Sequence, residues 1–313
     1  MTKHPKHEDN ALEDHDRGLQ HDLTMLTRRV LERRSTLAWL TSAGAVALLA
    51  GCGGDSGSDS SSSSTTTTTT TTTGTTTTGT TTTGTTTTGT TTTSSCTVYA
   101  TETNGPYPAD GSNTANGSVV NAMIQSGIVR TDMRSSFGSS TTTASGVKLT
   151  LTIKLTNTNN NCAALSGYAI YVWHCDAVGR YSLYDLPTEN YLRAVGVTDA
   201  NGEVTFTSIF PGCYDGRYPH IHFEVYPSVA TATTYLNRLL TSQFAMAAAA
   251  CTAVYSGASS TYTNSTANYN RVSIASDNVF GDNTAAQIAA MTLTMSGDVT
   301  NGYTGSAVVG LAR

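Results

Sequence analysis

The chain is short of the groups that commit proteins to many common chemistries. Of its seven histidines, His4, His7, His15 and His21 precede residue 52, so the rest of the chain keeps only His174, His220 and His222. Seven of the 17 Lys and Arg and seven of the 22 Asp and Glu also lie in residues 1–52, which leaves ten basic and fifteen acidic residues over 53–313. So few cations, scattered without a cluster, exclude a nucleic-acid surface. None of the six cysteines stands in a C-x-x-C pair, which excludes zinc-ribbon and thioredoxin-like motifs. The apolar run over 36–50 stops short of the roughly 20 residues that a bilayer span needs. Residues 53–95 have almost nothing apolar, so ordering them would cost backbone entropy without burial in return.

What the first 52 residues do contain is Arg33-Arg34, the short apolar run, and then Leu49-Ala50-Gly51-Cys52. A short apolar run that ends in small residues is the mark of a cleaved signal. The twin arginine resembles a Tat export signal and the last four residues resemble a bacterial lipobox, which makes Cys52 the expected lipidated residue. The expected destination is the bacterial cell envelope, as a membrane-anchored lipoprotein facing the periplasm or the exterior. Residues 53–95 are Gly, Ser and Thr with TTTTG repeats. Their period holds no hydrophobic position that could stack, so they read as a flexible linker and not as a structural repeat. The third segment, 96–313, is long enough for one well-cored domain. Five cysteines follow the lipobox, and in an oxidising compartment Cys96, Cys162, Cys175, Cys213 and Cys251 allow up to two disulfides with one thiol over.

The domain reads as all-β. VKLTLTIKLT (147–156), GEVTFTSIF and HIHFEVY alternate with a period of two, and GYAIYVWHCD is a continuous apolar run of the kind buried on both faces. Asn201-Gly202 in DANGEV signals a hairpin turn, a better account of Asp199, Asn201 and Glu203 than a calcium loop. MTLTMSGD and GYTGSAVVGL predict late strands, and the Ala-rich QFAMAAAACTAVYS predicts a helix. Many short strands with turn-rich links suggest a β-sandwich.

Against this scarcity of imidazole, PGCYDGRYPHIHFEVY (211–226) places His220 and His222 one residue apart. On a strand they share a face and can reach a single metal ion, or they can be a hydrogen-bonded pair on a half-buried surface. Tyr214, on a Pro-Gly turn, and Arg217 precede them, and VWHCDAVGRYS delivers Tyr181. Imidazole suits iron, copper and zinc alike. Two phenolates, being hard anions, would favour a trivalent ion, with ferric iron the natural candidate. A triad of His220, His222 and Glu224 would span roughly 13 Å of strand at about 3.3 Å per residue, too far for one ion.

VWHCDAVGRYS, the block from Tyr191 to Val225 and NGPYP (104–108) together resemble the intradiol ring-cleavage dioxygenases, the family of catechol 1,2- and protocatechuate 3,4-dioxygenases. The resemblance runs from about Asn104 to Leu311 and implies a β-sandwich that holds one non-haem Fe(III) on two Tyr and two His. Those ligands would be Tyr181, Tyr214, His220 and His222, with Arg217 stabilising negative charge and Tyr214 taking a proton as substrate enters. The implied partners are a small aromatic diol and O2, and the implied product is a muconate-type diacid. Tyr184 and Tyr191 are rivals for the place of Tyr181, and Tyr107 either lines the pocket or fixes a turn. His174 reads as a hydrogen-bonded core residue. Cys213 and Gly196 depart from the Trp and Gln expected in the secreted branch of the family, which leaves the substrate open. A tethered β-sandwich that binds sugar or protein, and a family member without turnover, are the alternatives.

Overall fold

The structure, a computed structural model, describes residues 96–313, so the expected leader (1–52, with Cys52) and linker (53–95) lie outside the described residues. Two sheets form the body. The first contains β10 (Thr294–Asp298), β11 (Gly302–Leu311), β3 (Lys148–Asn157) and β4 (Ala163–Ala164) in that order, with β7 (Glu203–Ile209) also paired to β3. The second is antiparallel throughout, in the order β6 (Arg193–Val197), β5 (Ala169–Trp173), β8 (His220–Tyr226) and β9 (Leu240–Ala245). A separate hairpin, β1 (Asp110–Ala115) with β2 (Ser118–Asn121), follows the NGPYP segment.

The period-two pattern explains the packing of the first sheet. Leu149, Leu151, Ile153 and Leu155 of β3 are buried against Ile170 and Val172 of β5 and Ile221, Phe223 and Val225 of β8. The alternate residues of β3 face outward, where Lys154 pairs with Glu203 at 2.9 Å. Each such fully buried aliphatic side chain contributes about 1.5–3 kcal/mol, so this inter-sheet layer supplies much of the stability. The fold is the all-β sandwich expected from the sequence.

Three local readings change in the structure. The DANGEV turn forms, with Gly202 N–H donating to Asp199 O at 3.0 Å, but the strands it joins belong to different sheets. A turn dipeptide sets local chain direction and not strand partnership. The expected helix covers Ala248–Gly257 only, because Gln243, Phe244 and Ala245 complete β9. Two short helices, Ser265–Tyr269 and Ala285–Met291, were not expected; the second carries a capping box of Thr284 and Gln287 that a spacing search would have found.

Among the free choices for cysteine pairing, Cys96 bonds to Cys162, while Cys175, Cys213 and Cys251 are buried thiols. The disulfide secures the start of the domain, where Tyr99 N–H donates to Gly310 O at 2.9 Å and Glu102 N–H to Thr241 O at 2.8 Å. That segment then runs directly into NGPYP.

Candidate metal centre

Strand β8 has no exposed face. All seven of its residues are buried, although their alternation had suggested one solvated side. Ile221, Phe223 and Val225 enter the inter-sheet core, and His220, His222 and Glu224 point to the other side of the sheet. A buried polar face must be satisfied by partners, and here the loops supply them.

The turn after β5 brings in Tyr181. Asp176 organises it by accepting from the N–H groups of Val178 and Arg180, both at 3.0 Å, and Asp185 accepts from Tyr181 N–H at 2.8 Å. Tyr214 arrives from the Pro211-Gly212 loop. It packs so closely on Gly179 (φ +90°) that a Cβ there would lie 2.8 Å from Tyr214 Cβ. The result is a convergence of four donor atoms. Nε2 of His220 and Nε2 of His222 are 3.0 Å apart, and Tyr181 Oη is 3.3 Å from His222 Nε2 and 3.5 Å from His220 Nε2. Tyr214 Oη lies 3.2 Å from His220 Nε2.

The electrostatics of the cluster follow from its burial. His220 is held down to about 3, by burial first and then by the Arg217 charge, and His222 well below its ordinary value by burial and by His220. Burial pushes both phenols up, Tyr181 with the help of Tyr214, while Arg217 works against burial at Tyr214. At neutral pH the four groups are therefore uncharged. Tyr218 O accepts from His220 Nδ1 at 2.6 Å, which places the proton on Nδ1 and turns the Nε2 lone pair toward the cluster. The ring of His222 is sandwiched differently: Trp173 stacks on it at 4.9 Å and 6°, and a Cβ on Gly105 (φ +70°) would come within 3.1 Å of its Cε1.

These atoms fit a metal ion. Separations of 3.0–3.5 Å are those of ligands held at about 2.1 Å from one centre at near-right to tetrahedral angles. No group of three or more His, Cys, Asp or Glu among the described residues could hold a metal, so an ion here depends on the phenols. A donor set of two imidazoles and two phenolates suits a hard trivalent cation better than zinc.

The rival residues are committed elsewhere. Tyr184 Oη accepts from Ala109 N–H and donates to Asn113 Oδ1, and Tyr191 Oη donates to Asp176 Oδ2. Glu224 accepts from Tyr226 Oη and Thr241 Oγ1, away from the histidines. His174 is a core residue as expected, bonded through Nδ1 to Cys175 O and through Nε2 to Ser208 Oγ. Tyr107 stacks on Tyr181 at 4.7 Å and lies edge-on to Tyr184, so it lines the cluster. Gly196 is remote from this function: a Cβ there would strike Val204 and Phe206 of β7, so the position allows nothing larger.

Arg217 lies close enough to both phenols to act on their charge, and it is buried. Its Nε donates to Asp277 Oδ2 at 3.0 Å and its Nη2 to Gln243 Oε1 at 2.7 Å. Asp277 and Gln243 were missed in the sequence. Gln243 lies opposite His222 in a wholly buried strand, but LTSQFA has three polar residues and did not single it out. Asp277 lies 60 residues from Arg217 in a polar loop and left no trace.

The family model Dioxygenase_C, described as dioxygenase, matches residues 123–244, a span that holds Tyr181, Tyr214, His220 and His222. The match makes this segment dioxygenase-like over 122 of the chain's 313 residues. Similar solved structures include an intradiol ring-cleavage dioxygenase from Tetranychus urticae, 19% identical with a TM-score of 0.48, the match covering 69% of this chain and 95% of that one. The dioxygenase domain of a dioxygenase–carbohydrate-binding fusion from Streptomyces sp. SirexAA-E is 21% identical, with a TM-score of 0.38 and coverage of 59% and 88%. A 3-chlorocatechol 1,2-dioxygenase from Rhodococcus opacus 1CP is 16% identical, with a TM-score of 0.42 and coverage of 68% and 72%. No curated protein sequence matches the chain.

Proposed function

We propose that the domain cleaves the ring of a catechol-type diol with O2 to a muconate-type diacid, using Fe(III) held by Tyr181, Tyr214, His220 and His222. The observation that carries this reading is the convergence of two phenol oxygens and the His222 Nε2 on His220 Nε2, each within 3.0–3.5 Å of it. The ferric ion, when bound, supplies Lewis acidity toward the diol and O2. The chain's own residues supply the rest. Neutral His220 and His222 offer lone pairs without titrating near neutral pH. Tyr214 is partly exposed where Tyr181 is buried, and as a phenolate on a bound ion it would be the one to take the proton of an incoming hydroxyl. Arg217 stays positive beside both phenols and stabilises negative charge that develops on the substrate. Trp173 and the Gly105 segment close over the His222 ring and keep water from it.

Purified domain is expected to hold about one iron per chain and to be coloured by tyrosinate-to-iron charge transfer. Tyr181→Phe should weaken or shift that absorption. Tyr184→Phe should leave it largely intact, at a cost of about 1 kcal/mol for each lost hydrogen bond. Oxygen uptake across a panel of catechols then identifies the substrate. A colourless protein carrying zinc overturns the reading.

The export reading is supported by Arg33-Arg34 and by Leu49-Ala50-Gly51-Cys52. We read the protein as a lipoprotein anchored at Cys52, with 53–95 as the tether. Cys52→Ser should release it from the membrane fraction without an acyl group; wild-type protein that is soluble and acyl-free rejects this.

A further inference from the structure

Arg193, at the start of β6, is 1% exposed and takes part in no ion pair among the described residues. A guanidinium buried without a counter-ion is a costly way to fill a core, unless every donor is satisfied. Here each one is. Nε donates to Ser182 Oγ at 3.1 Å, and Nη1 donates to Pro108 O and Tyr171 Oη, both at 3.0 Å. Nη2 donates to Tyr107 O at 3.0 Å and Ser182 O at 2.9 Å. Five N–H groups thus meet five acceptors from three separate stretches of chain, none of them a carboxylate.

Two of those stretches enclose Tyr181. Ser182 is its neighbour in the chain, and Tyr107 is the ring stacked on its own at 4.7 Å. Arg193 therefore holds the backbone next to Tyr181 and the backbone that carries the ring stacked on it. Its planar fork makes this possible, whereas an ammonium offers three donors from one point and cannot span the same acceptors.

We propose that Arg193 is a positioning residue of the centre, which sets the Tyr181 phenol against His220 and His222 by clamping the peptide carbonyls of Tyr107, Pro108 and Ser182. The inference rests on the reading of the cluster as an iron site. Displacement of a ligand atom by about 1 Å is enough to weaken such a site, so the effect should be read at the metal and not only in stability.

The test compares wild type with Arg193→Lys, with the milder Ser182→Ala, which removes one of the five acceptors, and with Leu151→Ala as a core variant remote from the cluster. Three quantities are measured: the melting temperature, Fe(III) affinity by competition with a chelator, and the position of the tyrosinate charge-transfer band. Amide exchange over residues 107–109 of the metal-free protein is followed as well. Arg193→Lys should bind iron at least tenfold more weakly, shift the band and speed exchange at Ala109. Ser182→Ala should shift the same three readings less, and Leu151→Ala should lower the melting temperature without moving the band. Should Arg193→Lys fail to fold, Ser182→Ala decides alone. A coloured wild type whose Arg193 and Ser182 variants keep its band and affinity, whatever their melting temperatures, overturns the role of Arg193. A wild type that takes up no iron removes the iron site itself, and this inference with it.

Discussion

Asp277 and Glu224 are two carboxyl groups buried to the same depth, at 1% and 0% exposure, and their pKa values are shifted in opposite directions. At Asp277 burial works to raise the pKa, but the Arg217 charge, its hydrogen bond and the Tyr218 N–H outweigh it, and the group stays below the ordinary carboxylate range. At Glu224 burial again raises the pKa and Asp110 adds to it. Tyr226, Thr241 and Arg238 do not compensate, and the group is pushed up to about 8. Arg238 is the weak partner because it stands 3.8 Å away and is a third exposed, where Arg217 meets Asp277 at 3.0 Å in a closed site. Depth alone does not decide charge; the reach and orientation of a partner do. The consequence for the site is direct. Arg217 is balanced by Asp277 and Glu224 is neutral at pH 7, so the phenols are left to supply the negative charge that a bound cation needs.

The sharpest way to break the comparison is to make Asp277 resemble Glu224. Asp277→Asn leaves Arg217 buried without its anion and should cost about 3–5 kcal/mol. For a domain of this size that is a fall in melting temperature of roughly 10 °C, read by calorimetry. The sign with pH is fixed by the lowered pKa. The stability contributed by Asp277 is complete above the unfolded-state value of about 3.9 and is lost as pH falls through the lower folded value. The gap between wild type and Asn variant should hold from pH 7 to about 4 and close below it.

Arg217→Ala addresses the same pair from the other side, and a hundredfold or greater loss of ring cleavage is expected, with iron and colour retained. A surface arginine would change stability by about half a kcal/mol at most, but Arg217 is buried, so the Ala variant should be destabilised too. Replacing both partners separates the two effects. Arg217→Met with Asp277→Asn should recover part of the stability, since no charge is stranded and Asn keeps an acceptor for the N–H groups of Val279 and Phe280, and none of the turnover. Recovery of turnover in the double variant would remove Arg217 from catalysis.

At pH 5 the smallest change is expected at Glu224→Gln. In wild type the folded state holds this proton up to about 8 while the unfolded chain releases it near 4.3, so stability falls as pH rises between the two. The Gln variant has no proton to hold, so it should differ little from wild type near pH 5 and gain on it toward pH 8 by up to about 1.4 kcal/mol per pH unit, read as melting temperature. A constant difference across that range would mean that Glu224 is ionised in the folded protein.

The sequence by itself determined a good deal here. Alternation in VKLTLTIKLT and HIHFEVY is a local property of the chain, and β3 and β8 form where it occurs. The same holds for the turn at Asn201-Gly202 and for the pairing of His220 with His222 on one face. Motif order then singled out Tyr181 and Tyr214 from fifteen tyrosines, and the structure brings both to those histidines. Tertiary structure alone decided which groups would close around them. Asp277 reaches Arg217 across 60 residues, and Arg193 joins Tyr107, Tyr171 and Ser182 across as many as 86. Periodicity and spacing report which way a side chain faces within its own strand. They carry no record of which distant loop will be pressed against that face, because the partner is selected by burial and by the need to satisfy every polar group enclosed there.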